Sequence, residues 1–311
     1  MNLQHKYMLC CAVLFILIPV FLSSLTGKIT ATDWTYRHSV WIGKYLQGDF
    51  SPVLDYPPLF HWIMIILTIG LEIPAIWFQV IFALLSTAGI LYYTYKSENE
   101  ETLLYVSILL ASSIAYVSFA GSLMPQALDY LLFPLICLAY FKKKYVLVIV
   151  GLLTIFFMHL TGMIFLWILL IHSLYTKRYK FATIFIIIIF LLSPIFYYYG
   201  FIAMHHIDVI WDIRSQIEWE KQYIEPIYKF FGLSGFMTWI LLPYASYKLF
   251  KKRFKLTETQ LLYIFWIGGF LSFIIFQQGI WRMISYQIVP LSLLVASLLS
   301  KTSEKDEIFK S

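Results

Sequence analysis

Long apolar runs constrain this chain more than any other feature. They recur along nearly all of its 311 residues, and a helix needs about 20 apolar residues to cross the hydrocarbon of a bilayer. The runs are continuous rather than alternating, which favours helices over a β-barrel. The composition agrees, because 60% of the residues are hydrophobic and only 13% are charged. We therefore predict an all-α, polytopic helical membrane protein.

The positive charges predict how the chain crosses the membrane. They cluster at Lys142–Lys144, Lys177–Lys180, Lys251–Lys255 and Lys301, with Lys6 ahead of the first run. Positive residues stay on the cytoplasmic side, so the net charge of +6 is a topology signal and does not indicate a nucleic-acid partner. Placing every cluster inside predicts about ten spans and two cytoplasmic termini. The spans lie near residues 7–26, 74–95, 102–120, 126–141, 145–158, 162–176, 181–201, 230–250, 260–277 and 283–300.

This threading predicts one membrane domain over residues 1–311, with outer loops at 27–73 and 202–229 and a cytoplasmic tail at 301–311. In the first loop, Thr32 and Asp33 form a predicted N-cap. An aromatic interfacial helix follows over Trp34–Leu46, and Gly48 ends it.

The same loop continues with a proline elbow. Asp55-Tyr56-Pro57-Pro58-Leu59 predicts an extended segment, because each proline restricts the residue before it. The apolar run Leu59–Leu71 is short for a span. If it crossed the membrane, every segment after it would change sides and basic clusters would move outside. We predict a helix that dips into the outer leaflet and returns.

Three segments resemble the GT-C glycosyltransferases. The acidic residue after the first span, the KYLQGDF stretch and Asp55-Tyr56-Pro57-Pro58-Leu59 resemble the first outer loop of the family. The likeness is closest to the branch of dolichyl-phosphate-mannose protein mannosyltransferases and lipid A aminoarabinose transferases. Gly121–Leu132 (GSLMPQALDYLL) resembles the second outer turn, and Trp281–Pro290 (WRMISYQIVP) resembles the start of a late span.

The resemblance implies an enzyme that moves a sugar from a polyprenyl-phosphate donor to a glycan, lipid or protein acceptor at the outer face of the cell membrane. Asp33 is then the catalytic base or acceptor-orienting carboxylate, and Arg282 grips the donor phosphate. The remaining predicted substrate-binding residues are Asp55, Arg37, His38, His159, Gln126 and Asp129.

Two departures from the family pattern qualify these expectations. Gln126 stands where the family usually carries an acidic residue, and Asp129 lies one helical turn deeper, which weakens a two-carboxylate metal site. We predict no metal ligands, while Mg²⁺ or Mn²⁺ stays an open alternative. The chain is also shorter than most of the family, which leaves open a minimal core or a partner subunit.

Other classes of protein stay open from the sequence. An O-antigen-type polymerase or ligase is also a multispan glycan enzyme, and the 202–229 loop, with Trp211, Arg214, Trp219 and Lys221, keeps that option open. In the same loop, His205, His206, Asp208 and Asp212 have the spacing of metal ligands, but a solvated loop is the favoured interpretation because metal ligands must converge. A small-molecule or lipid transporter would show broken spans, midplane polar residues and internal symmetry. A non-catalytic scaffold would leave the loop carboxylates simply solvated.

Overall fold

The computed structural model describes residues 3–27, 38–203, 235–251, 256–276 and 280–300, with backbone alone at 201, 236, 271–276 and 280–286. Every regular element in these ranges is helical, which confirms the all-α class. The helices are α1 (Leu3–Leu25), α2 (Ser39–Leu46), α3 (Pro52–Asp55), α4 (Leu59–Gly70), α5 (Phe78–Ser97), α6 (Glu100–Ala111), α7 (Ile114–Ala120), α8 (Pro125–Phe141), α9 (Tyr145–Met158), α10 (Thr161–Tyr175), α11 (Tyr179–Tyr197), α12 (Phe236–Lys251), α13 (Glu258–Phe276) and α14 (Ile280–Leu299). A 3₁₀ turn (Ala75–Trp77) precedes α5, and a π-helical turn (Tyr198–Ala203) continues α11.

Three helical segments within the described ranges are long and apolar enough to cross a membrane. They are Leu3–Leu25, Ala75–Ser97 and Tyr179–Gly200. Helices also occupy the other predicted spans, but α8, α9 and α10 have only 17, 14 and 15 residues, fewer than the roughly 20 needed to cross. The membrane character of the chain is therefore supported, whereas the predicted number of about ten spans is not confirmed.

The predicted span at 102–120 is not one straight helix. It consists of α6 and α7, which meet at 87°. Ser113 is extended and caps α7 by accepting a hydrogen bond from the Tyr116 N–H at 3.1 Å. Ser112 donates its hydroxyl to the Leu109 carbonyl at 2.9 Å. Two adjacent serines thus satisfy the backbone groups that the bend releases.

The core forms where the central helices pack on one another. Helix α8 packs against α5 and α9, and α10 packs against α11 and α13. Phe133 of α8 stacks on Phe165 of α10 at 3.9 Å between ring centroids, and Trp266 of α13 meets Phe133 edge-on at 4.6 Å. These aromatic contacts bury large apolar surfaces and hold α8, α10 and α13 against one another.

Helix α2 ends at the predicted glycine. Gly48 adopts a φ of +80°, and its N–H donates to the Tyr45 carbonyl at 3.1 Å while the Asp49 N–H donates to the Lys44 carbonyl at 3.0 Å. This pair of bonds is the Schellman motif, in which glycine supplies the left-handed residue. The end of the helix is confirmed, and its predicted start, from Thr32 to Trp34, lies outside the described residues.

The proline elbow is confirmed at Tyr56, which is extended with φ −156° and ψ 147°. Asp55 differs from the prediction, because it ends the short helix α3, which begins with Pro52 at its first turn. Helix α4 follows directly and rises about 18 Å over its 12 residues. It packs against α2 and α9, and its predicted depth in a membrane stays a prediction.

Candidate functional site

The structure does not describe the side chains of three predicted site residues. Asp33 and Arg37 lie outside the described residues. Arg282 is the third residue of α14, where the backbone alone is described. The predicted base and the predicted phosphate ligand thus stay predictions from the sequence.

His38 contacts a residue that the sequence did not single out. Its Nδ1 lies 2.9 Å from Nε2 of His61 on α4. Both side chains are buried, His38 at 3% exposed and His61 at 0%. Two imidazoles at this distance share one hydrogen bond, so one ring donates and the other accepts.

The surroundings of His61 keep it neutral. The rings of Trp41, Tyr45, Tyr56 and Phe60 lie with centroids 5.2–6.0 Å from that of His61. Burial among these rings lowers the pKa of His61 to about 4, because the charged form loses its hydration. Burial also raises the pKa of Tyr45 to about 12, with Tyr199 and Asp55 adding to the effect.

Helix α8 places Gln126 and Asp129 at its buried first turn. Met124 is extended and Pro125 occupies the first helical position, which suits proline because its missing N–H would have no partner there. Gln126 is 2% exposed and Asp129 is 0% exposed. Because the two are three residues apart on one helix, they face the same side.

A second polar cluster forms where α9 turns into α10. His159 lies between these helices and is partly exposed. Its Nδ1 lies 2.7 Å from the Thr161 hydroxyl, and its Nε2 lies 2.9 Å from the Gln126 amide nitrogen. The Thr161 hydroxyl in turn donates to Oδ2 of Asp129 at 2.7 Å. The four side chains form one connected chain from a buried carboxylate to a partly exposed imidazole.

Tyr56 joins the two groups of residues. Its ring lies 5.8 Å from that of His38 and 5.9 Å from that of His159, between centroids. We define the site cluster as His38, Tyr56, His61, Gln126, Asp129, His159 and Thr161. The structure therefore brings together four predicted site residues (His38, His159, Gln126 and Asp129) from three separate parts of the sequence.

Asp55 stands apart from this cluster. It is half-buried at the end of α3, and its carboxylate forms no hydrogen bond or ion pair with the residues that the structure describes. Its described role is electrostatic, through its effect on Tyr45.

An apolar cavity of about 700 Å³ lies between the proline elbow, α4, α9 and the end of α11. Its lining residues are Val53, Pro58, Leu59, Trp62, Phe157, Pro194, Ile195, Tyr198 and Tyr199. None of them belongs to the site cluster, but Pro58 and Phe157 are each two residues from a member of it, Tyr56 and His159. The Tyr199 hydroxyl donates to the Val53 carbonyl at 2.7 Å, which ties the π-helical turn to α3. The cavity has the size and apolar lining typical of a ligand pocket.

Within the described ranges, no three His, Cys, Asp or Glu side chains converge in a way that would hold a metal ion. Asp33, the predicted acidic residue of the first outer loop, lies outside those ranges. A Mg²⁺ or Mn²⁺ ion bound at Asp33 therefore stays an open alternative.

His61, Tyr56 and Thr161 complete the site cluster although they were not predicted as site residues. His61 interrupts an otherwise apolar run, and that was the available signal. Thr161 follows His159 by two residues, as a hydrogen-bonding partner often does in a turn. Tyr56 gave no signal beyond its place in the elbow.

No family model, curated protein or solved structure matches this chain. The resemblance to the GT-C enzymes therefore rests on the quoted motif residues alone.

Proposed function

We propose that this chain is a membrane glycosyltransferase that transfers a sugar from a polyprenyl-phosphate donor to an acceptor at the outer face of the membrane. The observation that carries the proposal is the convergence of the motif segments. Tyr56 of the elbow, Gln126 and Asp129 of the second turn, and His159 meet in one cluster. These segments lie far apart in sequence, so their meeting supports a shared role.

The chemistry of the two neighbouring regions suits such a donor. A polyprenyl phosphate has an apolar chain and a charged head, and the sugar carries hydroxyls. The apolar cavity is lined by Pro58 and Phe157, which are two residues from Tyr56 and His159 of the site cluster, and that cluster supplies amide, imidazole and carboxylate groups. We propose that the lipid chain binds in the cavity and the sugar binds against the cluster, with Arg282 and Asp33 completing the site from the segments whose side chains are not placed.

The experiment is donor turnover by the purified chain in nanodiscs. A panel of radiolabelled polyprenyl-phosphate sugars is supplied with and without a mixture of lipid and glycan acceptors. We expect release of polyprenyl phosphate from at least one donor. Asp33→Asn should lose at least about 10²-fold, because its carboxylate either takes the acceptor proton or orients the acceptor, whose misplacement by about 1 Å has that cost. Lys142→Ala is the matched control and should turn over normally, because this exposed residue directly follows α8, at the other end from Gln126.

Two results would contradict the proposal: no turnover and no saturable binding with any donor of the panel, or full activity in Asp33→Asn. Protein yield and thermal stability of each variant are measured alongside, because an Asn still caps a helix and the variant should fold.

A transporter is the second candidate, because the bend between α6 and α7 is a broken helix of the kind that transporters use. Two observations count against it. The serines at the bend are satisfied within their own helices, and the cavity lies beside α4 and α11 instead. Uptake of the donor into vesicles that contain the chain, without its turnover, would favour the transporter.

A further inference from the structure

We propose that Asp129, Thr161 and His159 form a proton relay in which Nε2 of His159 accepts the proton of the acceptor hydroxyl. The inference rests on the proposed function and deepens it, because it assigns the proton to a residue outside the first loop. Asp33 then orients the acceptor.

The relay follows from the one proton that a threonine hydroxyl carries. The Thr161 oxygen lies 2.7 Å from Oδ2 of Asp129 and 2.7 Å from Nδ1 of His159. A hydrogen bond to a charged acceptor is about twice as strong as a neutral one, so the hydroxyl proton belongs to the fully buried carboxylate. The Thr161 oxygen must then accept a proton from His159, which places the imidazole proton on Nδ1.

One contact competes with this assignment. The Thr161 N–H lies 3.2 Å from the same Nδ1 and would donate to it in the other tautomer. That tautomer would need the Thr161 hydroxyl to turn away from Asp129. Because the carboxylate is 0% exposed, losing this donor costs more than losing a long backbone contact. The Nδ1–H tautomer is therefore the stable one, and Nε2 keeps its lone pair.

In the proposed step the acceptor hydroxyl approaches the second ring nitrogen, Nε2, of the partly exposed His159. Nε2 lies 2.9 Å from the Gln126 amide nitrogen, which donates to it. The Gln126 amide oxygen is buried and has no hydrogen-bond partner within the described ranges. An unpartnered buried acceptor lacks a hydrogen-bond donor, and a ligand hydroxyl supplies one. The ligand should therefore carry a hydrogen-bond donor, which the hydroxyls of a sugar provide.

The proposed step balances as follows. The acceptor oxygen forms a bond to the anomeric carbon while the bond from that carbon to the phosphate oxygen breaks, and its electron pair leaves with the phosphate. The acceptor proton moves to Nε2. The resulting imidazolium still donates from Nδ1 to Thr161, which donates to Asp129, so the carboxylate stabilises the new charge across one hydroxyl. His159 is the catalytic residue, and Thr161 and Asp129 are positioning residues.

The first test is independent of turnover. NMR of the chain labelled with ¹⁵N-histidine, with the His159 signals identified by their loss in His159→Gln, should show the Nδ1–H tautomer. Thr161→Val should abolish that preference and Thr161→Ser should keep it. Thr154→Val is the matched control, because that hydroxyl donates only to the Val150 carbonyl of its own helix. An Nε2–H tautomer in the unmodified chain, or no change in Thr161→Val, overturns the relay.

The second test uses the transferase assay. His159→Gln should lose about 10²–10⁴-fold in kcat. Thr161→Val should lose about 10²-fold, the cost of misplacing a reacting group by about 1 Å, and Thr161→Ser should restore activity. The acid limb of the pH–rate profile should move to lower pH in Thr161→Val, because the imidazolium loses its link to the carboxylate. An unchanged limb overturns the catalytic role. If the unmodified chain transfers no sugar, the proposed function fails, and the NMR result still decides whether the relay exists.

Discussion

Nδ1 of His38 and Nε2 of His61 lie 2.9 Å apart, so two buried imidazoles from α2 and α4 are joined through one proton. Nδ1 of His61 has no partner within the described ranges. A buried lone pair costs less than a buried unpaired N–H, so we assign the donor role to Nε2 of His61. The bond fixes the position of α4 against the start of α2, which His38 directly precedes.

This pair predicts that acid destabilises the first loop. Unfolded His61 takes a proton near pH 6.5, whereas the folded residue resists it until about pH 4. Stability is therefore full above pH 6.5 and falls as the pH drops toward 4, by about 3 kcal/mol in total. Thermal unfolding in detergent between pH 4 and 8, followed by tryptophan fluorescence, measures the loss. His38, Tyr45 and Tyr56 are the titratable groups around His61.

The comparison is made with His61→Gln, which keeps an N–H donor for His38 but does not titrate. We expect this variant to take up about one proton fewer on unfolding between pH 4 and 6.5. Equal pH dependence in the two proteins would contradict the buried, neutral state of His61.

The tight turn between α9 and α10 predicts that replacing Gly162 by a larger residue destabilises the protein. A Cβ at this position would lie 2.5 Å from the backbone N and Cα of Phe156, and backbone atoms cannot rotate away. Gly162→Ala should therefore cost about 1–3 kcal/mol, as overpacking usually does, and should displace His159 from Gln126. Unfolding by heat or denaturant measures the cost.

Gly268→Ala is the control for that variant, because a Cβ there meets nothing within 4 Å. We expect it to be neutral, or to stabilise α13 by up to about 1 kcal/mol through better helix propensity. A Gly162→Ala chain as stable as the Gly268→Ala chain would show that α9 and α10 can separate freely.

The charge clusters predict which surface each loop occupies. In a background without Cys10, Cys11 and Cys137, a single cysteine at exposed Asp49 should react with an impermeant maleimide added outside, and one at exposed Lys142 should not. Lys142 is chosen over Lys143, whose φ of 55° would strain a replacement. Equal labelling, or the reverse order, would contradict the outer location of the proposed site.

The proposed role of Arg282 as the phosphate ligand predicts how donor binding changes when the residue is replaced. A planar guanidinium can bind two phosphate oxygens at once and an ammonium cannot. Arg282→Lys should raise the donor KM and lower kcat, and Arg282→Ala should lose about 2–4 kcal/mol of transition-state stabilisation. A residue that only anchors the helix at an interface would tolerate lysine. Normal steady-state kinetics in Arg282→Lys would therefore assign Arg282 to anchoring.

Local signals predicted the features that depend on a few neighbouring residues. Gly48 ends α2 because glycine adopts a positive φ without strain, and Pro125 starts α8 because proline fixes φ near the helical value. The bend at Ser112 and Ser113 was not predictable in this way, because serine is common inside apolar helices and the bend depends on how both side chains bond.

Part of the site was also predictable from local signals in the sequence. His38, Gln126, Asp129 and His159 were predicted from polarity and from the family resemblance. The contact of His38 with His61, and that of Thr161 with Asp129, join residues 23 and 32 positions apart. Such pairs arise from helix packing, which one sequence does not specify residue by residue.

The shortness of α9 has a consequence for the lipid around it. A helix of 14 residues rises about 21 Å, and the hydrocarbon of a bilayer is about 30 Å thick. If α9 crosses the bilayer as the sequence predicts, this hydrophobic mismatch of roughly 9 Å is relieved by local thinning of the bilayer or by sinking the His159 end below the headgroups. On the proposed function, local thinning would bring a lipid-linked phosphate beside α9 deeper than its neighbours, where it would meet the imidazole without leaving the membrane.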